Sequence, residues 1–247
     1  MFQRLTRLPA CRPARTRRPA SFAWLLAAAT LVTTPASAVA VVAGSAAEVC
    51  PPTADPCVVS AAFDVAAGAR LDFGLRALRV EGSGLLDFPS GGEVLCGRLE
   101  LATGGVAIRV RGSASDTVAP ATVELKVRRR CALSPATPCL VESDCAAVGG
   151  GSCSAGDGTA VIDGVVSGSA ERPGRIVIRS AGELSLLQPA SVAGTRSVSD
   201  GGTLDLESTG AAVRIAAPVD VSGGAVGSGG SFEAIAATDV LVQGRVA

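Results

Sequence analysis

The sequence predicts an all-β chain: a single-stranded, right-handed parallel β-helix (β-solenoid) with three strands per coil and about 28 residues per coil in its C-terminal part. Three observations predict it. First, residues 175–247 repeat themselves. They read RIVIRSAGELSLLQPASVAGTRSVSDGG, then TLDLESTGAAVRIAAPVDVSGGAVGSGG, then SFEAIAATDVLVQGRVA, and a fixed period in this size range marks a solenoid. Second, each line carries short runs in which apolar residues alternate with polar ones, the pattern of half-buried strands. Third, glycine pairs close the first two lines (Gly201-Gly202 and Gly229-Gly230), and smaller breaks divide each line into three runs.

Stacking the lines sets Ile176 over Leu204 over Phe232 and Ile178 over Leu206 over Ala234. With one extra residue allowed after Gly210, Leu184, Val213 and Val240 align, as do Leu186, Ile215 and Val242. Successive strand residues point to opposite faces, so these positions form inward ladders. Thr203, Asp205, Glu207, Arg214, Asp220, Glu233 and Asp239 point outward, as do Arg175, Val177 and Arg179. Pro173, Pro189 and Pro218 stand at run boundaries, where a missing ladder N–H matters little. A β-sandwich also has many short strands and glycine turns, but it does not require lines of equal length.

Residues 1–38 hold six arginines and no acid, followed by an uncharged apolar run, Ser21–Val32, and Pro35-Ala36-Ser37-Ala38. That is an export signal, expected to be cleaved after Ala38. Thr16-Arg17-Arg18 is a poor twin-arginine match, so general secretion is the expected route. An uncleaved anchor is the competing reading, against which the scattered Thr, Pro, Ser and Gly of the run speak. No later segment is long and apolar enough to span a membrane. Without the signal the chain keeps 16 of its 22 basic residues against 22 acidic ones, a net charge near −6, which argues against a nucleic-acid partner.

Cys11 leaves with the signal. Cys50 and Cys57 enclose six residues, three of them proline, that read as a small stapled loop; a redox pair would be separated by two residues. Residues 39–66 are expected to cap the solenoid and 67–247 to form it. From Val58 to Val127 the alternation continues with less exact spacing, as Leu71/Phe73, Leu78/Val80, Leu86/Phe88, Val94/Cys96, Leu99/Leu101, Ile108/Val110 and Val123/Leu125/Val127. Cys96 shares the inward phase of Val94 and is expected to be a buried free thiol. Phe73, Phe88 and Phe232 are also read as core.

Residues 128–158 break the pattern. Arg128-Arg129-Arg130 leads into Cys131, Cys139, Cys145 and Cys153 amid polar, glycine-rich sequence, a loop expected to need two disulfides. Four cysteines allow three pairings, which sequence does not separate. A zinc site would show paired knuckles with two to four intervening residues, and neither the seven- nor the five-residue gaps fit. The arginine triplet suits an acidic partner, or is simply solvated at a strand exit.

Lines such as TLDLESTGAAVRIAAPVDVSGG resemble the repeats of bacterial secreted right-handed β-helix proteins, the group of haemagglutinin-type adhesins, polymorphic outer-membrane proteins and pectate-lyase-like enzymes. The resemblance covers residues 58–127 and 159–247. It implies a cell-surface or extracellular location and either adhesion or polysaccharide processing.

Two function classes follow. One is a structural or adhesive surface protein; the other is a polysaccharide lyase or glycoside hydrolase. The chain has no His and no Tyr, and its one Trp, Trp24, lies in the signal. Histidine acid/base chemistry is therefore excluded, and rings for stacking on sugars are scarce. Asp163, Asp205, Glu207, Asp220 and Glu233 are candidates for a carboxylate pair, but no D-x-D or D-D cluster marks a site. No catalytic, cofactor or metal residue is assigned. The calcium-binding G-G-x-G-x-D nonapeptide, the phosphate loop and the dinucleotide fingerprint are missing. Expected partners are a surface ligand or a second copy pairing with an open C-terminal edge. The third line stops at Val246-Ala247, partway through, so the chain is expected to be a fragment.

Overall fold

A computed structural model describes residues 41–111 and 120–247. The signal segment 1–38, its cleavage after Ala38 and Cys11 lie outside the described residues. Residues Val39–Ala247 cluster as one compact unit.

The chain winds through three faces in a constant order. It opens with β1 (Val41–Ala43) and α1 (Ala46–Val49). The first coil is β2 (Cys57–Val59), β3 (Ala62–Val65) and β4 (Ala69–Asp72). The second is β5 (Ala77–Glu81), β6 (Leu85–Phe88) and β7 (Gly92–Cys96), and the third is β8 (Arg98–Ala102), β9 (Val106–Val110) and β10 (Thr122–Val127). An insertion then supplies β11 (Arg129–Cys131), β12 (Ser134–Cys139), α2 (Glu142–Ala146) and β13 (Cys153–Ala155). Winding resumes with β14 (Ala160–Ile162), β15 (Val165–Ser167) and β16 (Arg175–Ser180), then β17 (Leu184–Leu186), β18 (Ala190–Ser191) and β19 (Thr203–Ser208). The last strands are β20 (Val213–Ile215), β21 (Val219–Asp220), β22 (Ser231–Ala236) and β23 (Val240–Val242).

Like strands of successive coils pair in parallel to give three long sheets. Sheet A runs β1-β3-β6-β9-β15-β18-β21, sheet B runs β2-β5-β8-β14-β17-β20-β23, and sheet C runs β22-β19-β16-β10-β7-β4. The fold is thus an all-β parallel solenoid with three strands per coil. Register explains why it is stable. Leu71, Val94, Leu125, Ile178 and Leu206 form one unbroken inward column on sheet C, and all are at most 1% exposed. Each contributes on the order of 1.5–3 kcal/mol by burial. At the C-to-B corner the column turns polar. Ser180 and Ser208 are stacked and buried, and their hydroxyls donate to the carbonyls of Gly158 and Gly182.

The 28-residue step holds where the repeats predict it: Arg175 pairs Thr203, which pairs Ser231. The early coils are shorter. Cys57 pairs Leu78 and Leu78 pairs Leu99, two steps of 21 residues. The difference lies at the A-to-C corner, which takes three residues after β3 and β6 but eleven after β18 and ten after β21. Glycine serves the two kinds of corner differently. Gly91 turns the tight corner with φ +88°, which is open to glycine at no steric cost. Gly201 has no positive φ; a Cβ there would sit 1.9 Å from the Val221 carbonyl oxygen, so it is needed for the close approach of two wide corners.

The predicted cap, residues 39–66, divides. β1 extends sheet A by pairing with β3, whereas β2 and β3 already belong to the first coil, so winding begins at Cys57 rather than at residue 67.

Val177 keeps the outward face expected of it, while two core expectations need correction. Val177 faces outward beside Glu124 and Asp205, yet it is 3% exposed, as Leu95 on the same face is 4% exposed. The ion pairs Lys126–Glu124 and Arg175–Asp205 flank Val177, and the insertion lies along this side, with Thr209 Oγ1 donating to the Leu140 carbonyl. Phe232 is only partly buried, because β22 is an outer strand of sheet C and no coil stacks beyond it in the sequence given. For the same reason the ladder residues Val240 and Val242 remain 44% and 47% exposed.

Candidate functional site

The insertion is a folded module rather than a bare loop. β12, β11 and β13 form a small antiparallel sheet. α2 is tied at its N-terminus by Asp144, whose Oδ2 accepts from the Leu140 and Val141 amides. Glu142 accepts from the Cys153 amide. Of the three pairings, the structure shows Cys131–Cys145 and Cys139–Cys153. The four half-cystines are themselves the module's buried cluster. The Sγ atoms of Cys131, Cys139 and Cys145 lie within 4.8 Å of one another, but each is already in a disulfide and offers no thiolate to a metal. A third disulfide joins Cys50 to Cys57.

Cys96 is free and buried. Desolvation pushes its thiol up to about 12, against the favourable field of Arg128. Burial thus keeps it protonated and inert. In the unfolded chain the thiol ionises near 9.0, so this group's contribution to stability is intact below that value and lost as pH rises towards about 12. Peptide-mapped alkylation at pH 8 is expected to leave Cys96 unlabelled in native protein and fully labelled in denaturant. Rapid native labelling would refute its burial.

The arginine triplet is not simply solvated. Arg128 is 9% exposed, and its Nη2 donates to Asp72 Oδ1 at 2.6 Å and to the Gly74 carbonyl at 2.9 Å. Burial opposes charge on Asp72, but the Gly74 amide and the Arg128 guanidinium outweigh it and hold the carboxyl below its usual range. This pair therefore stabilises above the ordinary carboxylate range and weakens as pH falls through the lowered value.

Arg129 and Arg130 continue from this anchor onto β11. With Arg98, Arg128, Asp55 and Asp157 they line a cleft of about 150 Å³. Four stretches of the chain supply its charged residues: the stapled loop brings Asp55, the start of β8 brings Arg98, and the two ends of the insertion bring the triplet and Asp157. Within the cleft, Arg98 pairs with Asp157 at 3.0 Å and with Glu100 at 2.5 Å, and Asp55 accepts from the Ala77 amide. Arg129 Nε reaches only the Asp157 carbonyl, at 3.4 Å. Neither Arg129 nor Arg130 has an ion pair among the described residues. Nothing local in sequence connects Asp55, Arg98 and Asp157 with the triplet; only winding does.

The predicted carboxylates are spread over the molecule. Asp205 and Glu207 lie on the outer face of sheet C, held by Arg175 at 2.6 Å and Arg179 at 2.8 Å. Glu233 follows Asp205 in register and is exposed. Asp220 lies in sheet A and accepts from Ser222, while Asp163, after β14, accepts from Gln188. The structure brings Asp205, Glu207 and Glu233 onto one face of sheet C and leaves Asp163 and Asp220 apart. Sequence reading missed another pair. Asp64 and Asp87 are register neighbours on sheet A, and Arg111 Nη2 bridges them at 3.0 and 2.8 Å. Asp87 is 3% exposed and also meets Arg109 at 3.4 Å.

Among the described residues no helix is long and apolar enough to cross a membrane. The three disulfides are compatible with an extracellular protein. No family model matches this chain, and neither does a curated protein or a solved structure.

Proposed function

We propose that this chain is an exported structural or adhesive surface protein, of the bacterial secreted β-helix kind, in which a stiff solenoid carries a disulfide-stapled module outward. The supporting observation is that the module interrupts the winding without disturbing it: β10, just before the insertion, still pairs with β16 of the next coil over six consecutive residues, Thr122 with Arg175 through Val127 with Ser180. Such a frame displays a loop at a fixed place, which is what binding residues on rigid scaffolds require. The signal-like N-terminus and the disulfides agree on an oxidising destination.

A polysaccharide-processing enzyme is the second reading, and Asp64 with Asp87 is the observation that favours it. Glycoside cleavage needs one carboxyl free to donate a proton, however, and here both are engaged by Arg111. The outer edges of β22 and β23 offer backbone groups to a further coil or to a second copy, so self-association is the second partner reading.

The test is to express the full chain in a secreting bacterium, sequence the exported N-terminus, and incubate the product with polysaccharides and whole cells. Export with a new N-terminus at Val39 and saturable binding without release of reducing or unsaturated ends are expected. Retention in the cytoplasm, or product release that Asp87→Asn abolishes, would overturn the proposal.

A further inference from the structure

We infer that the arginine cleft binds the oxyanion group, carboxylate or sulfate, of an acidic polysaccharide; this rests on the reading as a surface-binding protein and names its ligand class. Four guanidinium groups and two carboxylates line the cleft. Arg98 is occupied by Asp157 and Glu100, and Arg128 by Asp72. Among the described residues Arg129 and Arg130 have no ion pair, and Asp55, the other lining carboxylate, accepts from the Ala77 amide, so the cleft holds two guanidinium groups without a paired acid on a chain whose net charge without its signal is near −6. A folded chain with an acid excess has carboxylates to spare for neutralising its arginines. Here the excess is not used.

A second observation points the same way. Arg128 lines the cleft, is nine-tenths buried, and its Nε has no hydrogen-bond partner. A buried donor without an acceptor is unfavourable, and an oxyanion whose entry opens the cleft at Arg128 would supply one. The guanidinium fork matches a carboxylate or sulfate group in two-point geometry, which a lysine does not. The chain's lysine, Lys126, lies elsewhere, between Glu93 and Glu124 on sheet C.

The size of the site selects the ligand's form. About 150 Å³ holds one acid group and part of one sugar ring. Two spare cations in one place do not make the long basic track that a nucleic-acid backbone requires. An acidic polysaccharide presents its charge one residue at a time and does not depend on aromatic stacking, for which this chain has few rings. Both stapled segments border the cleft: Asp55 lies between Cys50 and Cys57, and Arg130 immediately precedes Cys131. Each staple thereby stiffens its own wall of the cleft.

The experiment measures binding of exported, oxidised full-length protein to polygalacturonate, dextran sulfate and neutral dextran at low and high salt. It is run on the wild type, on the double variant Arg129→Ala/Arg130→Ala, and on Arg214→Ala, whose guanidinium pairs with Glu183 away from the cleft. Salt-sensitive binding to a charged polymer but not to dextran is expected, weakened at least about tenfold in the double variant and unchanged in Arg214→Ala. Binding to polygalacturonate alone assigns a uronate, and to dextran sulfate alone a sulfate ester; either supports the proposal. Unchanged affinity in a folded double variant would overturn the site. Failure of folded wild type to bind either charged polymer would overturn the ligand class. If that same preparation still binds whole cells, the surface-protein reading survives; if it binds no cells, that reading falls with it.

Discussion

Ile178→Ala is expected to lower stability by about 2–5 kcal/mol, the range for emptying a close-packed core site, read as a shift in denaturant midpoint. Ile178 is fully buried, stacked between Leu125 and Leu206 in adjacent coils. A solenoid's stability is approximately a sum of coil and neighbour terms, so a hole in the middle of the column weakens contacts on both sides. Phe232→Ala removes a larger side chain but is expected to lower stability by less, about 1–2 kcal/mol, because Phe232 has the Leu204 ladder on one side only. Equal losses at the two positions, or a larger one at Phe232, would refute the column as drawn and require another layer over the last coil.

The inward ladders were legible because repetition makes each coil a check on the next. Ile176, Leu204 and Phe232 align in the sequence as they do in the sheet, since a one-residue slip would turn every inward residue outward. The early period was harder to see. Corners of three residues and corners of eleven carry strands of the same pattern, and only strand pairing reveals the 21-residue steps. The face of Val177 was legible but its burial was not, because alternation assigns a face and not what lies over it. The arginine cleft was least legible. Its residues come from four places in the sequence, and the burial of Arg128 depends on Asp72, two coil steps earlier on sheet C. Cysteine pairing was open because spacings of five and seven residues permit all three patterns. Register alone would not have chosen either: β13 seats Cys153 opposite Cys131, yet Cys131 bonds Cys145 on α2 and Cys153 bonds Cys139 on β12.

Replacing Cys131, Cys139, Cys145 and Cys153 by Ser is expected to unfold the insertion while leaving the solenoid wound. The module's buried cluster consists of those four residues, so no apolar core stands behind the disulfides. Each bridge spans a sequence separation of 14, for which loop closure contributes about 3 kcal/mol. An antiparallel sheet of three short strands does not recover that by itself. Hydrogen exchange should show protection lost across 129–155, including the Leu133 amide that donates to the Gly150 carbonyl. Protection should persist in β10 and β16, whose pairing does not run through the module. Because Arg129 and Arg130 sit on β11, affinity for the charged polysaccharide should fall in step with the module, while Cys96 stays unlabelled beneath sheet C. If the amides of 129–155 remain protected without the bridges, the module has a core of its own and the disulfides are redundant. If β10 and β16 lose protection as well, the insertion is part of the winding and not a passenger on it, and the frame-and-module reading fails.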